Sequence, residues 1–188
     1  MTTLMAPAPP TTRRVDSPFG PLTIVGSTAG LRGVLWPGDD PARIGLAGVV
    51  LRPGSVDVLD EAAQQLDAYF AGTRSMFTLL LDLHGTAFQL AAWQALVEIP
   101  YGETRTYAEQ AAHLGHPTAV RAVGTANGRN PLAIVLPCHR VVGSDGALRG
   151  FAGGLDVKAS LLAFERVQRP GLGDRSLAGW YPSRARSR

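Results

Sequence analysis

The chain has 188 residues, 45% hydrophobic and 18% charged, an ordinary globular composition with room for one or two small domains and enough apolar residues for a core. No stretch reaches the roughly 18 continuous apolar residues of a membrane span, and the opening MTTLMAPAPPTTRR has no apolar signal core, so an intracellular, cytoplasmic protein without membrane association is expected. The net charge of +3 would suggest a nucleic-acid partner, but residues 166–188 alone carry six Arg against Asp174, so the remaining chain is slightly acidic and the excess belongs to a basic tail.

In chain order, residues 1–12 are rich in Pro, Thr and Ala and are expected to be disordered. The segment SPFGPLTIVGSTAGLRGVLWPG alternates short apolar runs with turn residues and predicts a hairpin over about 22–26 and 31–36. Leu59, Ala63, Leu66 and Phe70 recur at three- and four-residue spacing before Gly72, the pattern of an amphipathic helix with a glycine end. The run MFTLLLDL reads as a buried strand. These elements compose a domain over 13–84.

From Gly85 the pattern turns to closely spaced helices, a second domain over 85–168. Thr86 can cap a helix that runs through Trp93 and Leu96 until Pro100 stops it. Thr106 with Glu109 fits a capping box for a short helix, with Ala112 and Leu114 inward and Gly115 at its end. Pro117 suits the first turn of the next helix, AVRAVGTAN, with Val120 and Val123 three apart. Two short helices joined by a glycine turn form a helix-turn-helix. Such pairs also occur in proteins that never touch DNA, so the pattern alone leaves DNA binding open. A run over 132–136, read as a strand, leads into PCHR, then a glycine-rich loop and a last helix over about 156–166; residues 169–188 form the tail. The fold class is α+β.

Cys138 is the only cysteine, so neither an internal disulfide nor a multi-cysteine zinc site can form. The four histidines, His84, His113, His116 and His139, lie at no zinc-ligand spacing, and phosphate-binding or dinucleotide glycine motifs are missing; no metal or cofactor is expected. A lone cysteine beside an apolar run is most often a small buried hydrophobe. Three features favour a reactive thiol. Pro137 turns the backbone just before it, His139 and Arg140 offer a base and positive potential, and Glu165 shares a helix face with Leu155, Lys158 and Leu162, where a carboxylate needs a partner. A histidine oriented by that carboxylate would be the better base. A salt bridge at the helix end is the competing use of Glu165, and spacing alone does not choose.

The run NPLAIVLPCHRVVGSDGALRGFAGGLDVKASLLAFE, with FQLAAWQALVEIPYGETRTYAEQAAHLGHPTAVRAVGTANGRNP before it, resembles the O6-alkylguanine-DNA alkyltransferases, or methylated-DNA-protein-cysteine methyltransferases. The likeness covers residues 88–165 closely, and SPFGPLTIV and AYFAG resemble the family's N-terminal domain. The resemblance implies a ribonuclease-H-like N-terminal domain of antiparallel sheet and helix, followed by a mostly helical domain. It also implies single-turnover DNA repair without a cofactor: Cys138 takes the alkyl group irreversibly from guanine O6, with O4-alkylthymine as a further candidate substrate. His139 would act on the thiol through a water, Glu165 would fix His139, and Asn130 would hold the helix-turn-helix against the active-site segment.

A stacked base is out of a thiol's reach, so the nucleotide must be flipped out of the duplex. By resemblance, Tyr107 crowds the flipped nucleotide, Arg121 fills the vacated stack, and the second helix enters the minor groove through Ala119, Ala122 and Ala126. Without the resemblance, Tyr107 would be a core aromatic and Arg121 a solvated charge. Backbone groups of Cys138, Val141 and Ala152 would read the guanine edge, with Phe151 as a wall. Many members have tyrosine where Phe151 stands, so a hydroxyl donor to the leaving oxygen is lost, and Arg149 replaces a small residue of several relatives. No dimerisation segment is visible, so the free protein is expected to be a monomer. Three other readings remain: a noncatalytic alkyltransferase-like sensor, which lacks the cysteine, a cysteine hydrolase, and a transcription regulator.

Overall fold

The structure is a computed structural model that describes residues 9–168. Four strands, β1 (Thr11–Val15), β2 (Leu22–Ser27), β3 (Gly30–Leu35) and the two-residue β4 (Arg52–Pro53), form a sheet in the order β3-β2-β1-β4. The predicted hairpin is β2–β3, antiparallel with an irregularity at Val25/Gly26, and β1 adds to it antiparallel. The sheet departs from the all-antiparallel expectation at β4, which runs parallel to β1. Strand β1 also claims Thr11 and Thr12 from the segment expected to be disordered, because Thr11 pairs with Gly26 and Thr12 with Val25. Residues 1–8 and the basic tail over 169–188 lie outside the described residues.

Helix α1 (Asp57–Phe70) buries Leu59, Ala63 and Leu66 as the spacing requires, and Gly72 ends it at φ 74°, a conformation that costs glycine least. Residues 76–83 are not the buried strand that their apolar run predicts. They form an extended segment with a single bridge to β3, between Leu31 and Leu81. Phe77, Leu79, Leu81 and Leu83 pack on the core, while Met76 and Leu80 are 72% and 63% exposed. Only one face of this segment meets the protein, so half of the run is left outside.

Helix α2 (Ala87–Val97) starts at the predicted cap Thr86, which with Gln89 forms a full capping box, and helix α3 (Tyr107–His113) starts in the predicted capping box of Thr106 with Glu109. Two-residue strands β5 (Arg105–Thr106) and β6 (Val141–Val142) pair in parallel and bind the start of α3 to the segment after Cys138. Helix α4 (Val120–Gly128) completes the helix-turn-helix across the turn at Gly115, φ 75°. The inward residues of α3 are Gln110 and Ala111, not Ala112 and Leu114. Gln110 donates to the Ala92 carbonyl at 2.9 Å and accepts from Asn127 at 2.8 Å, so a satisfied amide network sits where an apolar contact is the usual expectation. Pro117 lies in the turn before α4 rather than in its first turn, and of the two valines only Val123 is buried.

Residues 132–136, read as a strand, form a buried turn instead, closed by the Leu136 N–H on the Leu132 carbonyl at 2.8 Å. Ile134 at its centre has φ 73°, a left-handed conformation that costs a β-branched residue about 1–2 kcal/mol. Burial of the Ile134 side chain, worth about 1.5–3 kcal/mol, outweighs that cost. The last helix, α5 (Leu155–Gln168), buries Lys158, Leu162 and Glu165 on one stripe; Leu155, at the exposed first turn, falls off it with 47% exposure. One apolar core unites the halves: Leu22, Ile24 and Leu66 belong to the same cluster as Trp93, Leu132, Ile134 and Phe164.

Candidate active site

Cys138 opens a short 3-10 turn, Cys138–Arg140, between the Ile134 turn and β6. Its residue is 8% exposed. Burial pushes the thiol up from its ordinary value, and a hydrogen bond from Asn130 with the positive charges of Lys158 and Arg43 pulls part of the way back. At neutral pH the resting sulfur is therefore a thiol, and a base is needed to make it a nucleophile.

A candidate base follows Cys138 in the sequence. His139 is fully buried, and its Nε2 lies 2.8 Å from Glu165 Oε1. Five donors converge on the Glu165 carboxylate: the Tyr69 hydroxyl, the Gly102 N–H, His139 Nε2, and Arg140 Nε and Nη2. Burial raises the Glu165 carboxyl, but His139 and Arg140 together outweigh it and bring its pKa down to about 2. An ionised carboxylate only accepts, so His139 carries its proton on Nε2 and, when neutral, presents a lone pair at Nδ1. Nδ1 is buried and meets no hydrogen-bond partner among the described residues. Burial also lowers the His139 pKa and so keeps the ring neutral near pH 7, although Glu165 partly counters it by favouring the charged form.

The positive potential expected from Arg140 goes elsewhere. Its guanidinium grips Glu165 with two bonds and donates to the Ile99 carbonyl at 2.6 Å, which leaves Lys158 and Arg43 to favour the thiolate. Lys158 was visible in the sequence only as a lysine on a core-facing stripe. Its Nζ is buried, donates to the carbonyls of Val141 at 2.6 Å and Arg149 at 2.8 Å, and stands 5.7 Å from the centre of the Tyr107 ring. Nothing in the sequence identified Tyr69 or Arg43. Arg43 donates to the Asn130 carbonyl at 2.9 Å, and the Asn130 side chain spans the Ile134 turn, accepting from Leu132 N–H and donating to the Leu136 carbonyl.

Tyr107, at the start of α3, is half-buried near the thiol, and its hydroxyl donates to the Arg149 carbonyl at 3.0 Å. Phe151 lies edge-on to both Trp36 and His139, with ring centres 5.8 and 6.4 Å away. Val141 is fully buried and Ala152 exposed; the Val141 carbonyl already accepts from Lys158. Arg149 turns outward to Asp145, 2.7 Å away. On α4, Arg121 and Ala122 are exposed and Ala119 is partly so. Ala126 departs from the expected small-residue surface: it is buried, and its carbonyl accepts from Trp93 Nε1 at 2.8 Å because that side of α4 packs on α2. Among the described residues, no group of three or more His, Cys, Asp or Glu could hold a metal ion, and no helix is long and apolar enough to cross a membrane.

The chain's single cysteine precedes a carboxylate-held imidazole, and the β5–β6 pairing ties its segment to the start of a helix-turn-helix. The ribonuclease-like domain of 6-O-methylguanine DNA methyltransferases matches residues 12–83, and the DNA binding domain of the same enzymes matches residues 87–167. The chain belongs to that family. It is 48% identical over 158 residues to the methylated-DNA–protein-cysteine methyltransferase of Mycobacterium leprae, covering 83% of this chain and 92% of the relative. A Methanosarcina barkeri protein of the same name is also 48% identical, over 80% of this chain and 94% of its own. The crystal structure of the Mycobacterium tuberculosis enzyme in complex with DNA superposes with a TM-score of 0.76 at 44% identity, covering 86% of this chain and 96% of that one.

Proposed function

We propose that this chain repairs O6-alkylguanine in DNA by direct reversal, taking the alkyl group onto Cys138 in one irreversible turnover. The observation that carries this reading is the buried hydrogen-bonded series from Glu165 to His139 beside the only thiol in the chain. His139 Nδ1 takes the thiol proton, relayed through a water molecule, while Glu165 stabilises the imidazolium that forms. Cys138 Sγ then attacks the alkyl carbon, the C–O6 bond breaks with its electron pair going to O6, and the guanine anion, still in the DNA strand, becomes guanine by taking up a proton, which balances the one the thiol gave to His139. Lys158 and Arg43 stabilise the thiolate while it exists. The sulfur ends as a thioether, so the protein is the acceptor and is consumed.

The target nucleotide is flipped out of the duplex to reach the thiol, at a cost of about a few kcal/mol. Tyr107 stands beside the thiol, where it would crowd the flipped nucleotide. Arg121 fills the gap in the stack, and Ala119 and Ala122 let α4 approach the minor groove closely. Phe151 forms a wall of the base pocket, with backbone groups of Cys138, Val141 and Ala152 at the guanine edge. A domain of 13–84 acts as scaffold for one of 85–168, and the protein acts in the cytoplasm as a monomer.

The test is intact-protein mass after incubation with a duplex containing O6-methylguanine. A gain of one methyl group, abolished in Cys138→Ala, is the expected result. Unmodified protein that still binds the damaged duplex would instead make it a noncatalytic sensor.

A further inference from the structure

Among the five donors on Glu165, only one comes from the N-terminal half of the chain. The Tyr69 hydroxyl, on α1, lies 2.8 Å from Oε1, the oxygen that also accepts from His139 Nε2 at 2.8 Å and from Arg140 Nη2 at 2.9 Å. Tyr69 and Glu165 are 96 residues apart in sequence. Phe70, Phe77, Tyr101 and Phe164 surround the Tyr69 ring with centres 5.3 to 6.0 Å away, so the phenol is held in one position. A phenylalanine would fill that aromatic box equally well. What the tyrosine adds is a proton directed at the oxygen that orients the histidine.

We infer that Tyr69 is a positioning residue for alkyl transfer: through the shared Glu165 oxygen it sets the proton affinity of His139, and so couples α1 of the N-terminal half to the base. The inference rests on the proposed role of His139 as that base. Three donors share one carboxylate oxygen, and each withdraws charge that the others would otherwise use. The Tyr69 bond therefore weakens the hold of Glu165 on the imidazolium and keeps His139 neutral to a lower pH. The other ionisable groups facing this pair are Arg140, which is ion-paired to Glu165, Tyr101, which lies under the Arg140 guanidinium at 5.5 Å, and Lys158 on α5. Burial and the Glu165 charge keep the Tyr69 phenol protonated far into the alkaline range, so it remains a donor throughout.

The experiment measures the rate of methyl transfer from an O6-methylguanine duplex to Cys138 between pH 5 and 9, ranges chosen to bracket the ordinary histidine value. Removing the donor in Tyr69→Phe should move the acid limb up by about half a pH unit. Placing 3-fluorotyrosine at position 69, a more acidic phenol of nearly the same size, should move it down. Tyr101→Phe removes a neighbouring buried hydroxyl that has no hydrogen-bond partner among the described residues, and should leave the limb in place. A purely structural Tyr69 would lower stability or rate at all pH values without shifts of opposite sign. If Tyr69→Phe fails to fold, the direction of the fluorotyrosine shift decides. Normal transfer with an unmoved limb in the position-69 variants, or an equal shift in Tyr101→Phe, overturns the inference and leaves the repair function standing. Failure of the unaltered protein to accept the methyl group overturns the repair function itself.

Discussion

The Asn130 side chain donates to the Leu136 carbonyl at 2.7 Å and so holds together the turn that delivers Cys138. Its oxygen accepts from Leu132 N–H at 3.0 Å, and its amide also favours the thiolate. Asn130→Ala strands the buried Leu132 N–H, at about 1–3 kcal/mol, and leaves the Leu136 carbonyl with the Cys138 N–H as its remaining donor. Urea unfolding should show a loss of about 1–3 kcal/mol, and alkyl transfer should slow because Ile134 at φ 73° is no longer clamped. Unchanged stability would mean that the turn holds itself.

Lys158 combines a structural and an electrostatic task. In Lys158→Met the Val141 and Arg149 carbonyls lose their shared donor and the thiol loses a nearby positive charge. The reaction of Cys138 with iodoacetamide, followed against pH, should shift to higher pH. Limited proteolysis should also cut faster in the loop over 143–153. A shift toward lower pH would contradict the assigned electrostatic role.

Acid should destabilise the protein in two stages. His139 is lowered from its ordinary 6.5 by burial, so the unfolded chain binds a proton first as pH falls through 6.5, and stability is lost from there toward the depressed folded value. Glu165, lowered from 4.5 to about 2, adds stability that is present above 4.5 and lost as pH falls toward 2. Thermal unfolding between pH 8 and 3 should show a falling midpoint across both windows. Glu165→Gln should remove the lower stage at the expense of overall stability, since it leaves Arg140 buried without its ion pair, typically a cost of about 3–5 kcal/mol.

Arg121 is exposed on α4, away from the buried network. Arg121→Ala should therefore leave thermal stability within about 0.5 kcal/mol of the parent. It should weaken repair of a duplex while largely sparing reaction with the free alkylated base. Equal losses on the two substrates would remove it from base flipping.

Phe151 carries no donor, although its ring is set edge-on to His139. Phe151→Tyr should speed methyl transfer by about fivefold, the scale of one neutral hydrogen bond to the departing oxygen. A single-turnover time course on methylated duplex measures it. A slower variant would show that the added hydroxyl crowds the base pocket instead.

Where the structure agrees with the sequence, the signals were local. The helix caps at Thr86 and Thr106, the glycine ends at Gly72 and Gly115, and the β2–β3 hairpin are all made by groups a few residues apart. Where it differs, the partner was distant or the pattern ambiguous. An apolar run reads alike as a buried strand, as the half-exposed edge of 76–83, or as the tight turn of 132–136. Gln110 carries no apolar signal in the sequence, and its burial is explained only by the Asn127 side chain and the Ala92 carbonyl placed against it.

By itself the sequence determined the candidate thiol, its neighbouring histidine and, through PCHR and the motifs around it, the family. Which charge serves which partner was decided only in three dimensions. Arg140 looked like the thiol's cation and is bound to Glu165, Lys158 looked like a helix-face lysine and lies near the thiol, and Tyr69 reaches Glu165 across 96 residues. The reason is physical: a cap or turn is satisfied by the backbone beside it, whereas a buried charge must find whatever donor the packing of remote segments brings within about 3 Å.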